Sequence, residues 1–193
     1  MKPERMAAFS DGVLAIIITI MVLEMKAPHK ADLAALIPLL PVFFSYVLSF
    51  IYVAIYWNNH HHLLHTLKHV TGGVLWANVH LLFWLSLVPF TSAWMGENQF
   101  ATLPTALYGV VLFACAIAYS ILQSTIIRTE GQNSHLARAV GKDRKGKLSI
   151  VCYLAAIPLA FVSPWIASGI YVIVALIWLI PDQRIEKVLH APE

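Results

Sequence analysis

Charged side chains are scarce. Asp, Glu, Lys and Arg make up 12% of the 193 residues, where a soluble domain carries ~25%. Too few polar groups remain to cover a globular surface in water, which excludes a soluble enzyme and a disordered or collagen-like chain. Only two cysteines occur, Cys115 and Cys152, and both lie inside apolar runs. They read as small core residues rather than a disulfide or metal pair. No G-x-S-x-G, no H-E-x-x-H and no carboxylates paired at catalytic spacing within a span are present, so no catalytic constellation is expected and the chain is not read as an enzyme. A carbonyl filter loop of the T-V-G-Y-G kind is also missing. Thr71-Gly72-Gly73 does not match it.

What the chain has in abundance is apolar surface. A, V, I, L, M, F, W, Y and C form 59% of it, and its mean hydropathy is +0.72. A membrane-spanning helix needs ~20 residues, so the length suits six short spans in one domain, residues 1–193. The expected fold is all-α, an integral membrane protein of six transmembrane helices. Apolar runs extend from about Ala7 to Met25, Leu33 to Trp57, Val74 to Met95 and Leu103 to Ile127. The first run resembles a signal peptide, but Asp11 interrupts it and no small-residue cleavage site follows. It reads as a retained span. The last run, Leu148 to Ile180, is long for one helix and tight for two. Ser163-Pro164 at its midpoint favours two.

Charge supports the even count. Six spans put Lys2, Arg5, Lys68, the six basic residues between Arg128 and Lys147, Arg184 and Lys187 on one side, and only Lys26 and Lys30 on the other. That asymmetry makes the first side cytoplasmic. A multi-pass protein of the cell membrane with both termini inside is expected. The net charge of +3 is no nucleic-acid signal, because its basic cluster suits a loop facing anionic lipid. No nucleic-acid partner is expected.

The first span holds the residues of most interest. A helix turns ~100° per residue, which sets Gly12, Ile16, Thr19, Ile20 and Leu23 on one stripe. Asp11 falls on another face. An aspartate at membrane depth costs ~2.5–3.5 kcal/mol on insertion scales, so it needs a partner or a function. Arg5, or a histidine or tryptophan of a neighbouring helix, would serve as partner. A proton or cation site at the inner end of the helix is the alternative. Glu24 flanks the stripe at the outer end, where a carboxylate would concentrate cations. An interfacial residue beside Lys26 is the equal alternative.

His60, His61, His62, His65 and His69 crowd the end of the second span, with His61, His65 and His69 at i, i+4 and i+8. No cysteine or acidic residue joins them, which argues against a metal centre. Haem needs histidines on two spans at two depths, and only His80 in the third span is offered. Packing and hydrogen bonding at the interface is the expected role. Asn78 and His80 are expected to bond across helices. Trp57, Trp94 and Trp165 read as interface anchors, and Trp76, Trp84 and Trp178 as packing residues.

The stretch from Arg5 through Phe9-Ser10-Asp11 to Thr19 resembles the R-x-x-x-F-S-D signature of the lysosomal potassium channel family transmembrane protein 175, most closely its bacterial members. Tyr56-Trp57-Asn58-Asn59-His60-His61 is similar to the end of that family's second helix. Leu85 through Glu97 is similar to the end of its third. The resemblance implies a homotetrameric potassium-selective channel, leak-like, whose first helices line the pore. It implies a filter of aliphatic rings at Ile16, Ile20 and Leu23, with Thr19 beside the first ring. Arg5, Phe9, Ser10 and Asp11 would then form a network that positions the pore helix. Partners would be further copies of the chain, membrane lipid and potassium as the permeant ion, with no cofactor and no metal. The rival readings are a proton- or metal-coupled transporter using Asp11 and the histidines, and a haem-binding electron carrier.

Overall fold

The computed structural model describes residues 3–131, 134–141 and 143–179. Lys2, Lys142, Arg184 and Lys187, used in the charge argument, lie outside them. The described residues form helices and connecting turns only. Helix α1 spans Pro3–Leu23. A 3₁₀ segment, Leu33–Leu39, leads into α2, Leu40–His65. Helices α3 (Gly72–Ser86) and α4 (Val88–Glu97) share one course, broken at Leu87 just before Pro89. Proline lacks the N–H that would continue the ladder, so the break falls there. Then come α5 (Thr102–Glu130), a short α6 (His135–Val140), α7 (Arg144–Leu159) and α8 (Pro164–Leu179).

Four courses are long and apolar enough to cross a membrane: Pro3–Leu23, Leu33–His65, Gly72–Glu97 and Thr102–Glu130. Helices α7 and α8, 16 residues each, complete six. The last apolar run therefore divides at Ser163-Pro164, as proline chemistry dictates. Thr71, next to the two glycines that fail to match a filter loop, caps α3 by accepting the Val74 N–H.

Cross-helix contacts sort the six courses into two ends. At one end Trp57 meets Asp11, the Lys68 N–H donates to Glu130 and the Trp178 indole donates to Ser149. At the other, Phe100 lies against Trp165, ring centres 5.6 Å apart. These pairs match an antiparallel alternation of six spans.

Helix α5 is the central column, with Tyr108, Leu112, Cys115, Ala118, Leu122 and Ile126 fully buried. Cys115 and Cys152 are both free thiols. Polar groups in the core are mostly paired, as an apolar solvent requires; among the described residues Thr105 Oγ1 and Ser168 Oγ are the buried exceptions. Ser49 donates to Ser92 Oγ at 2.8 Å and lies 3.0 Å from the Tyr108 hydroxyl. Tyr52 donates to the Tyr171 carbonyl at 2.6 Å. Gly96 lets α4 approach α2 closely: a Cβ there would lie 2.7 Å from Val42 Cα and would strike Ser45 Oγ. Beyond α4 the chain turns through Gln99 and Phe100, both left-handed, at φ 51° and 58°.

Tryptophan placement departs from expectation once. Trp57 and Trp165 are exposed, as anchors should be, but so is Trp76, at 77%. Its position on α3 faces away from the bundle, so it does not pack within the single chain. Trp84 and Trp178 are partly buried and donate to His80 and Ser149.

Candidate functional site: the first helix and its anchors

Helix α1 has two unlike faces. Met6, Ser10, Leu14, Ile17 and Met21 are buried against the bundle, at the i, i+4, i+7 spacing of one helical face. Around the other side Ile16 is 60% exposed, Ile20 42% and Leu23 72%, with Gly12 and Thr19 exposed beside them. The stripe expected from helical spacing is thus one continuous apolar strip without a partner in the single chain. Thr19 Oγ1 donates to the Ala15 carbonyl at 2.8 Å. Its hydrogen is used within the helix, and its oxygen lone pairs remain available on the strip.

The polar anchoring of α1 divides in two. The buried part is a chain of three side chains from three helices. Asn78 of α3 donates its Nδ2 hydrogen to Ser10 Oγ at 3.0 Å. Ser10 donates onward to the Met6 carbonyl at 2.9 Å. Asn78 Oδ1 therefore faces His60 of α2, at 2.6 Å. An amide oxygen can only accept, so His60 Nε2 carries the proton. All three are buried: Ser10 at 0%, Asn78 at 1% and His60 at 2% exposure. Donors run one way, from His60 to Asn78 to Ser10 to the α1 backbone.

The second part is exposed. Asp11 Oδ1 accepts the Trp57 indole N–H at 3.0 Å, which ties α1 to α2 from the other flank. Asp11 thus has a tryptophan partner, one of those foreseen, but it is exposed in the single chain rather than buried. Arg5 and Phe9 are exposed too. Among the described residues no hydrogen bond joins either to Ser10 or Asp11. Phe9 lies two turns before Ile16, on the exposed strip. The four residues of the expected network are accordingly split: Ser10 and Asp11 anchor, while Arg5 and Phe9 face outward.

Glu24 follows the last residue of α1 and lines a hollow at that end of the bundle with Ile20, Phe90, Trp94 and Glu97. Glu97 brings a second carboxylate to that end. Sequence spacing alone could not pair it with Glu24, since α4 delivers it.

The histidine run is dispersed. His60 turns inward, while His61 and His65 are exposed. Helix α2 ends at His65, so His69 does not continue the i, i+4 series and no three-imidazole face exists. Among the described residues no group of three or more His, Cys, Asp and Glu could hold a metal ion. His80 accepts from Trp84 one turn along its own helix at 3.0 Å rather than bonding across helices. Asn78 does bond across, and it joins two elements at once. The pairing of Asn78 with both Ser10 and His60 is the feature sequence reasoning missed. The signal was available, in polar residues of three spans at matching depth.

Comparison with known proteins identifies relatives of this chain. The family model described as "Endosomal/lysosomal potassium channel TMEM175" matches residues 5–89, the segment that holds α1 and both of its anchors. A potassium channel of a Chryseobacterium species is 57% identical over 98% of this chain and 98% of its own length. The crystal structure of a lysosomal potassium-selective channel TMEM175 homolog from Chamaesiphon minutus superposes with a TM-score of 0.82, at 27% identity, over 93% of this chain and 97% of that one. The human endosomal/lysosomal proton channel TMEM175 is 26% identical over 64% of this chain, which spans only 25% of it.

Proposed function

The chain belongs to the TMEM175 potassium channel family, and from that premise we propose that it conducts potassium ions down their gradient through the axis of a homotetramer. Each copy contributes α1 to the pore wall. The observation that carries this reading is the unpartnered aliphatic strip of Ile16, Ile20 and Leu23, exposed on a helix whose opposite face is fixed to the bundle. One copy alone encloses no axial path. Four strips facing each other form one.

Stacked aliphatic rings make a hydrophobic constriction, which gates by dewetting. An ion too large to pass with its full hydration shell sheds water there, and aliphatic groups return little. Potassium gives up its shell more readily than sodium and so crosses at lower cost. Thr19 returns one oxygen per subunit beside the first ring. Glu24, with Glu97 near it, raises the cation concentration at the outer mouth. Ser10 and Asp11 hold the helix in position, and Arg5 and Phe9 face the inner entrance. Because no array of tuned oxygens replaces the shell, selectivity by this route is modest.

The six courses act as a single unit over residues 1–193, in the cell membrane, with both termini cytoplasmic. The basic asymmetry between the two sides supports that orientation. Potassium is the permeant ion, and the mechanism calls for no cofactor.

The test is flux into liposomes holding the purified protein, potassium against sodium. Ile16→Asn places an amide on the first ring and wets it. Sodium flux relative to potassium should rise. An unchanged ratio removes Ile16 from the filter, and absence of potassium flux in the unaltered protein overturns the channel reading.

A further inference from the structure

The exposed end of α2 carries a second feature that the pore does not use. His61 and His65 stand one helical turn apart, where α-helical geometry stacks side chains on one face. Their ring centres lie 4.3 Å apart at an interplanar angle of 69°. Both side chains are exposed, and the ring contacts of His61 are with Trp57, His62 and His65. Two imidazoles bound to one ion, each through a metal–nitrogen bond of about 2.0–2.1 Å, have centres roughly 4.5–5.2 Å apart. The pair reaches that spacing by small rotations of its own side chains.

We propose that His61 and His65 form a two-ligand site for a first-row transition-metal dication, and that its occupation lowers potassium flux. Imidazole favours copper, nickel and zinc over magnesium or calcium, with Cu²⁺ the tightest. Two protein ligands leave the other positions to water. The site is therefore open and labile, unlike a closed structural centre, for which the described residues offer no third ligand.

The effect on flux follows from position. Trp57 lies one turn before His61, with ring centres 6.2 Å apart, and its indole is the donor that holds Asp11 of α1. A dication here adds two positive charges in every subunit next to Trp57, the residue that holds the Asp11 carboxylate. The local potential becomes less favourable to potassium at that end of the pore. This consequence for flux rests on the reading of α1 as the pore helix; the binding site itself does not.

The experiment uses the full chain, stripped of metal, with His61→Gln/His65→Gln as the comparison. Both positions are exposed, so the variant should fold and elute as the unaltered protein does. Cu²⁺ titration followed by electron paramagnetic resonance should show one ion per chain coupled to two imidazole nitrogens. The double variant should lose that signal and bind at least tenfold more weakly. Saturating Ni²⁺ should lower potassium flux twofold or more in the unaltered protein and leave the variant unaffected. Equal Cu²⁺ binding by the variant overturns the site, and Ni²⁺ binding without change in flux overturns its inhibitory role. A protein that shows the two-nitrogen signal but passes no potassium in metal-free buffer upholds the site and overturns the channel reading instead.

Discussion

Replacing Ser10 and Asn78 singly and together tests the buried chain that fixes α1. Ser10→Ala removes the acceptor of the Asn78 Nδ2 hydrogen, 3.0 Å away, inside a site where both side chains are at most 1% exposed. A buried donor left without a partner costs about 1–3 kcal/mol. Asn78→Leu keeps the branched shape, with bulkier methyl ends, but strips the acceptor from the His60 Nε2 proton, at 2.6 Å, again at about 1–3 kcal/mol or more. The two costs do not add. Once Asn78 is leucine, no Nδ2 donor remains for Ser10 to satisfy, and Ser10 keeps only its bond to the Met6 carbonyl. Removing the hydroxyl then costs about 0.5 kcal/mol. The double variant should sit close to Asn78→Leu alone, with a coupling of about 1 kcal/mol or more, well above the ~0.3–0.5 kcal/mol scatter of independent sites. Reversible unfolding by SDS in mixed micelles, followed by circular dichroism, measures all four proteins. Additive losses would refute the one-way chain from His60 to α1.

Three other substitutions probe separate features. Gly96→Ala drives a Cβ into the α2 backbone at Val42 and into Ser45, and should cost about 2 kcal/mol or more in the same unfolding assay. Gln99→Gly removes left-handed strain of about 1–2 kcal/mol against about 0.5–1 kcal/mol of added chain entropy, so a net gain of roughly 0.5 kcal/mol is expected. Trp57→Phe takes the indole donor from Asp11; the carboxylate is exposed in the single chain, so stability should fall by less than about 1 kcal/mol while potassium flux drops severalfold with the oligomer intact on size exclusion.

Much of this architecture is legible in the sequence, because a membrane makes strict demands on it. Every span must hide its backbone, so apolar length and Ser163-Pro164 suffice to locate six courses. The α1 strip follows from 100° periodicity and reappears as the exposed side of the helix at Ile16, Ile20 and Leu23. What periodicity cannot supply is partner identity. Asp11 was expected in a buried network, yet it stands on the exposed flank with Trp57. The buried network runs through its neighbour Ser10, one residue and ~100° away. His69 falls off the histidine series because α2 stops at His65, where no proline or glycine marks an end. Trp76 is exposed although its span is apolar all round, since hydropathy does not say which side of a fully apolar helix faces the bundle.

The uneven fastening of α1 has a mechanical consequence. Its polar ties, at Ser10 and Asp11, lie in the first half of the helix, while beyond them only apolar side chains such as Ile17 and Met21 touch the bundle. Such contacts slide at little cost, whereas directional bonds resist rotation. The helix is built as a lever hinged near Ser10. Leu23 lies thirteen residues further on, about 20 Å along the axis. A tilt of about 3° at the hinge therefore carries the Leu23 side chain sideways by about 1 Å.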